Sequence, residues 1–325
     1  NVGLEFGLWN GLLTGNFDYF YESRTDILTQ YLTRPQWVGV VMAAGNLGKT
    51  KNQGVELELK HNNRIGKDFY YNVGFTFSHA RNEILDMDEP DAKTGYRKQE
   101  GHPINQYFGL ICDGFVTQAD LDNPNFPKST YGNVQVGDLK YRDMNGDGFI
   151  DDRDETFIGY SDIPENTYAL TLGAQWKGIG FSVMFQGVDH VSRFYDAEAM
   201  FAFVNGGKVK EHHLGRWNPA MSEEYNLANA TYPLLHYDSY GNHNQRQNSF
   251  FLKNGAFLRL KNIELSYSLP QSWIKKAAMK ECRIYVNASN LVTWDHLGGL
   301  TDPESNGSNR YPIMKTVNFG VNIQF

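Results

Sequence analysis

The chain of 325 residues carries only two cysteines, Cys112 and Cys282. That excludes a disulfide scaffold and a cysteine-based zinc site; spacing alone leaves open whether the two pair. No run of 18 apolar residues exists, which excludes a transmembrane helix but not a barrel of strands. Basic excess is missing too. A net charge of −7 speaks against a nucleic-acid partner or a role on an anionic membrane surface. Catalytic signatures are lacking. "VNGGKVK" has two glycines and a lysine but not the P-loop spacing, and neither Gly-x-Ser-x-Gly nor His-Glu-x-x-His occurs. His212, His213, His236 and His243 have no fixed helical spacing, so solvated or lid-facing histidines are expected rather than a metal site. The chain is not expected to be an enzyme.

What the chain does have is aromatics, at 14%, and 32 glycines. That pairing favours strands and turns over helices. The last residues, "KTVNFGVNIQF", alternate strictly. Val317, Phe319, Val321, Ile323 and Phe325 fall on one face of a strand, with polar residues and Gly320 on the other. The same period of two recurs in "NVGLEFGLW", "LLTGNFDYFYE" (broken at Phe20), "GVELELK", "FYYNVGFTFSH", "YALTLGAQW", "FSVMFQG" and "RIYVNAS". In "AFLRLKNIELSYSLP" the phase changes, which predicts a β-bulge near Lys261 and Asn262. Nine strands result.

Their connections alternate between short and long. Asn10-Gly11, 62–68, 177–180 and 270–281 are short, the last with room for a helical turn. Long loops are expected at about 25–52, 81–166, 190–248 and 293–314. Trp9, Trp176 and Trp273 lie at the short-turn ends, where an interfacial girdle sits. A soluble β-sandwich also alternates apolar and polar residues. It gives no reason for putting every long loop at one end, or for a greasy terminal strand. The fold class expected is therefore all-β, an antiparallel transmembrane β-barrel. Nine open strands leave two unpaired edges in hydrocarbon, and single-chain bacterial barrels use even numbers. So the segment is expected to be the C-terminal part of a larger barrel.

"DMNGDGFIDDRD" places Asp143, Asn145, Asp147, Gly148, Phe149, Asp151 and Asp154 at positions 1, 3, 5, 6, 7, 9 and 12 of an EF-hand-type loop. Alternate side chains converge, Gly148 permits the turn, Phe149 gives a carbonyl and Asp154 closes the shell. The expectation is a structural Ca2+ held by Asp143, Asn145, Asp147, Phe149, Asp151 and Asp154, without flanking helices. An Asx- and Gly-rich turn with no metal is the alternative. Trp217 and Trp294 are expected as loop aromatics able to stack on a sugar ring, unless they buttress the loops. Asn72, Thr76, Gln175, Gln186 and Asn287 are expected to face a wet lumen.

Taken in order, "GHPINQYFGLICDGF", "GDLKYRDMNGDGFIDDRDETFIGY", "IPENTYALTLGAQWKGIGFSVMFQG", "NGAFLRLKNIELSYSLP", "NLVTW", "DPES" and "YPIMKTVNFGVNIQF" span the whole chain. Together they resemble the C-terminal barrel portion of a SusC/RagA-type TonB-dependent outer-membrane transporter. The resemblance implies a 22-stranded barrel, with plug and TonB-contacting segment upstream, in the outer membrane of a Gram-negative bacterium. It implies active uptake of oligosaccharide, or less often peptide, with a SusD-like lipoprotein as lid and the TonB complex as energy source. It also implies that Val317, Phe319, Val321, Ile323 and Phe325 face outer-membrane lipid and serve as the assembly signal. A secreted, calcium-stabilised carbohydrate-binding β-protein is the alternative.

Overall fold

The computed structural model describes residues 1–33, 39, 43–90, 94–195, 197–237, 242–275, 278–305 and 311–325. Nine strands form one sheet: β1 (Val2–Leu8), β2 (Leu13–Thr29), β3 (Gly45–Ile65), β4 (Phe69–Asp86), β5 (Asn166–Trp176), β6 (Ile179–Asp189), β7 (Phe257–Ser268), β8 (Glu281–Asp295) and β9 (Thr316–Gln324). Each strand pairs antiparallel with the next in chain order. This is the expected all-β barrel wall, left open between β1 and β9.

Register shows the two faces directly. Leu4, Phe17, Leu57, Phe77, Tyr168, Gly187, Leu258 and Trp294 stand side by side across eight strands. The neighbouring row reads Glu5, Asn16, Glu58, Thr76, Ala169, Gln186, Arg259 and Thr293. One face is continuous hydrocarbon and the other polar. Among the described residues no second sheet covers the apolar face: Val2, Leu4, Phe319 and Phe325 are each 60% exposed or more. Such a surface is stable in lipid and a liability in water.

The bulge falls where the phase changes. Met184 pairs with Asn262 and Phe185 with Leu260, leaving Lys261 without a partner on β6. Phe20, which breaks the alternation of β2, points inward and lies over Gly54. A Cβ at Gly54 would meet the Phe20 ring at 2.6 Å. The aromatic covers the gap left by a missing side chain.

The strands outrun the expected loop boundaries. The long connections are 30–44, 87–165, 190–256 and 296–315, because β2, β3 and β4 run for 17, 21 and 18 residues. At about 3.3 Å per residue, 21 residues reach well past an apolar band about 25 Å tall, even when tilted. Above that band neither face meets lipid, so "ESRTD" and "GNLGKTKNQ" are polar on both sides and show no alternation. Parts of the expected loops, at 34–38, 40–42, 91–93, 196, 238–241 and 306–310, lie outside the described residues. The expected helical turn is the short helix Gln271–Ile274; its continuation at 276–277 also lies outside them.

The largest buried apolar cluster lies above the barrel. Leu110, Leu139, Tyr141 and Ile150 from the second long connection pack on Tyr195, Met200, Phe201, Val204, Tyr232 and Phe251 from the third, with Leu297 from the fourth. Leu110 and Leu139 are fully buried, and each contributes about 1.5–3 kcal/mol. Connections this long need such a core to hold a fixed shape. Cys112 belongs to this cap and Cys282 to the inner end of β8, and both are free thiols. At opposite ends of the wall, they have no route to a bond.

Candidate functional site at the outer mouth

The acidic loop is a series of side chains folded back on their own backbone. Both Asp143 oxygens accept N–H groups, from Gly146 at 2.6 Å and Gly148 at 2.8 Å. Asn145 and Asp147 accept from the residues two further on. Gly148 has φ +81°, the left-handed turn the spacing demanded. Asp154 is fully buried and accepts from Met144 and Asp151, which closes the loop. Arg153 lies against Asp147 and Asp151, at 2.7 Å from each. Its hydrogen bond holds the Asp151 carboxyl below the usual range. The donor types are those calcium takes. Among the described residues, however, no three acidic or histidine side chains meet on one centre, and Arg153 supplies the positive charge.

Of the two tryptophans, Trp217 follows the buttressing alternative and Trp294 lies outside the loops. Trp217 is 2% exposed. Its ring packs edge-on to Phe115 at 5.5 Å and covers Gly137, whose Cβ would meet it at 2.4 Å. It buttresses the cap. Trp294 belongs to β8 rather than to a loop, and it stands in the outward apolar row beside Leu258. With Tyr19, Tyr21 and Tyr168 it marks an outer aromatic belt, matched at the short-turn ends by Trp9, Trp176 and Trp273, each more than half exposed. Asn72, Thr76, Gln175, Gln186 and Asn287 all fall on the inward face.

Two polar networks went unseen in the sequence. The first ties the last connection to the wall. Arg259, 1% exposed, holds Asp302 through two bonds at 2.7 and 2.8 Å and Glu304 at 2.6 Å. Lys261 reaches the same Glu304 at 2.9 Å. In a regular strand Arg259 and Lys261 would also share a face, but Asn262 and Glu264 would then turn outward. The bulge lets all four face inward. "DPE" is thus the mate of "RLK".

The second network joins the second and third connections. Asp138 is buried and accepts from Asn244 at 2.8 Å and from the Gln135 N–H at 2.7 Å, with the His236 ring at 2.5 Å. His243 is buried as well. Its Nε2–H donates to the Leu139 carbonyl, and its Nδ1 accepts from the Ser129 hydroxyl at 2.8 Å. Burial lowers the His243 pKa from 6.5, against the opposing pull of the Leu139 carbonyl and then of Asp138. The folded cap therefore holds this ring neutral, whereas the unfolded chain protonates it below about pH 6.5. Cap stability is expected to be full above that pH and to fall as pH drops below it. Amide exchange at 129–141 and 243–248 measures it, and His243→Gln should flatten the response.

The last strand is exposed along its outward face: Val317 55%, Phe319 83%, Val321 56%, Ile323 49% and Phe325 73%. Its inward partner face carries Asn318, which donates to Asn287 at 3.0 Å.

Known proteins share this arrangement. A family model described as TonB dependent receptor-like, beta-barrel matches residues 1–291. TonB-dependent receptor P3 of Formosa agariphila is 25% identical over 358 residues, covering 100% of this chain and 34% of that protein. TonB-dependent receptor SusC of Bacteroides thetaiotaomicron is 25% identical over 338 residues, covering 100% of this chain and 31% of its own length. The RagAB peptide transporter superposes with a TM-score of 0.71 at 24% identity, over 99% of this chain and 34% of that one, which shows the fold. The chain thus spans about a third of the length of the relatives it matches. With its apolar outward face, polar inward face and capped outer mouth, the chain belongs to the TonB-dependent receptor-like β-barrel family.

Proposed function

We propose that this chain is the C-terminal wall and outer mouth of an active importer in the outer membrane of a Gram-negative bacterium. The observation that carries the reading is the two-faced sheet with every long connection at one end. The outward face meets lipid, the inward face hydrates a lumen, and the cap frames the entrance. A plug upstream would gate the lumen, TonB would energise it, and a SusD-like surface lipoprotein would cover it. The cargo is an oligomeric nutrient; oligosaccharide follows from the likeness to SusC-type transporters, and peptide is the cargo named for RagAB. The secreted carbohydrate-binding alternative has no use for an outward apolar face. A strain lacking the full-length gene, grown on single glycans and single peptides, tests the reading. Growth is expected to fail on one class alone, and to fail likewise when TonB is removed. Undiminished growth on every substrate would overturn it.

Calcium at the acidic loop is part of the same proposal. Asp143, Asn145, Asp147, the Phe149 carbonyl, Asp151 and Asp154 would hold the ion, tying the loop to the cap without any part in transport chemistry. Arg153 must first leave Asp147 and Asp151. Calorimetry on the full-length protein is therefore expected to show calcium binding that Arg153→Gln tightens and Asp147→Ala abolishes. No heat from either the parent or Arg153→Gln counts against the ion.

A further inference from the structure

The second long connection roofs a recess of about 650 Å3 at the outer end of the wall. Thr50 and Ile84, paired across β3 and β4, form its floor on the inward side. Asn82, on the same side, accepts the Ile104 N–H at 2.7 Å and so pins the roof above the lumen. The lining is mostly apolar: Ile27, Ile84, Met87, Ile104, Phe108 and Phe157. Phe157 is held by stacking on His102 at 3.8 Å, and Ile104 is 40% exposed at the opening. A concavity of this size and lining is of the kind that takes a ligand.

Arg97 stands at its edge. Its guanidinium lies over the Phe108 ring at 5.7 Å. Other arginines of the outer connections, such as Arg142, Arg153 and Arg246, each hold a carboxylate. Arg97 makes no ion pair among the described residues, and its charge reaches the Asp151 and Glu155 carboxyls only through space. The site therefore offers an apolar hollow next to a cationic donor that no carboxylate among the described residues contacts directly. A glycan suits it less well: Thr50, Gln99 and Asn105 are polar lining residues and Gln106 is already bonded within the roof, so the larger apolar share of the wall leaves most ring hydroxyls of a sugar unpaired. An apolar side chain beside a carboxylate satisfies both halves at once.

We propose that this recess is a cargo subsite that takes an apolar peptide side chain, with the adjoining carboxylate on Arg97. It rests on the import reading and names the chemistry of the cargo at the mouth. The probes are the hexapeptide Gly-Ser-Gly-Ser-Gly-Leu, the same peptide ending in Ser, the Leu peptide as its C-terminal amide, and maltohexaose. Binding is measured on the purified full-length transporter with its surface lipoprotein. The Leu peptide is expected to bind about tenfold tighter than the Ser peptide. Ile104→Glu should erase that preference. Arg97→Gln should erase the advantage of the free carboxylate over the amide while keeping the preference for Leu. Equal binding of the Leu and Ser peptides by the parent protein overturns the subsite. So does a uniform loss for all four probes in Ile104→Glu. Growth lost on a glycan alone, with no peptide bound, would sink the subsite and leave import standing.

Discussion

Arg259→Ala is expected to release the last connection from the wall at a cost of about 3–5 kcal/mol, the range for removing one partner from a buried ion pair. The substitution strands Asp302 and leaves Glu304 with Lys261 alone, and these carboxylate side chains are only 12% and 18% exposed. Lys261 does not reach Asp302, which has no other cation among the described residues. Asp302 also accepts the Glu304 N–H at 3.0 Å, so a carboxylate freed to turn toward water would strain the turn as well. Leu297, buried in the cap core, would be drawn out with it. Limited proteolysis of the full-length protein should show new cuts within 296–315, and amide protection there should fall. Asp302→Ala alone should cost nearly as much, and the double variant much less than the sum, because the two act as one unit. The control is Lys49→Ala. That residue pairs with Asp86 at 3.0 Å, but both side chains are more than a third exposed. Its loss should stay within about 1 kcal/mol. Equal effects from Arg259 and Lys49 would show that burial does not decide the matter.

The contrast between these pairs shows where the sequence is legible. Every strand of the wall could be read because lipid and lumen impose a period of two, and the bulge could be read because Leu260 and Ile263 fall out of phase. The same logic fails above the bilayer. From Glu22 to Thr29 and from Gly45 to Gln53 both faces are wet, so the strands continue with no pattern to reveal them. The cap fails differently. Leu110, Leu139, Tyr232 and Phe251 sit far apart in the chain with no periodicity, and only three-dimensional packing shows that they share a core. Trp217 and Trp294 both read as loop aromatics in the sequence, for related reasons. An aromatic in a polar stretch looks available for stacking, yet Gly137 opens a slot that swallows Trp217. Trp294 continues β8 past Asn290, whose φ of 56° marks a second irregularity that the residues do not announce. Charge pairing was hidden too: "RLK" and "DPE" are each unremarkable until the bulge turns one toward the other.

Leu172→Arg is expected to destabilise the assembled barrel by about 2–4 kcal/mol, whereas Thr171→Arg, one residue away, should cost far less. Leu172 stands midway along the outward set Tyr168, Leu170, Leu172, Ala174 and Trp176, between Val73 and Val183 on the adjacent strands. A guanidinium there must sit in hydrocarbon or drag water to it, and the strand is too short of polar neighbours on that face to shelter it. Thr171 lies on the inward face beside Gly74 and Met184, where water and space are at hand. Both substitutions add the same charge and length, so a difference between them reports the environment of each face. Heat-modifiable gel mobility and urea unfolding of the full-length protein in lipid would measure it. A soluble sheet with a solvated outer face predicts the reverse, since an arginine on an exposed row would then be nearly free. If Leu172→Arg were as stable as the parent, the outward rows would not be touching lipid. The importer reading, and the cargo subsite that rests on it, would fall together.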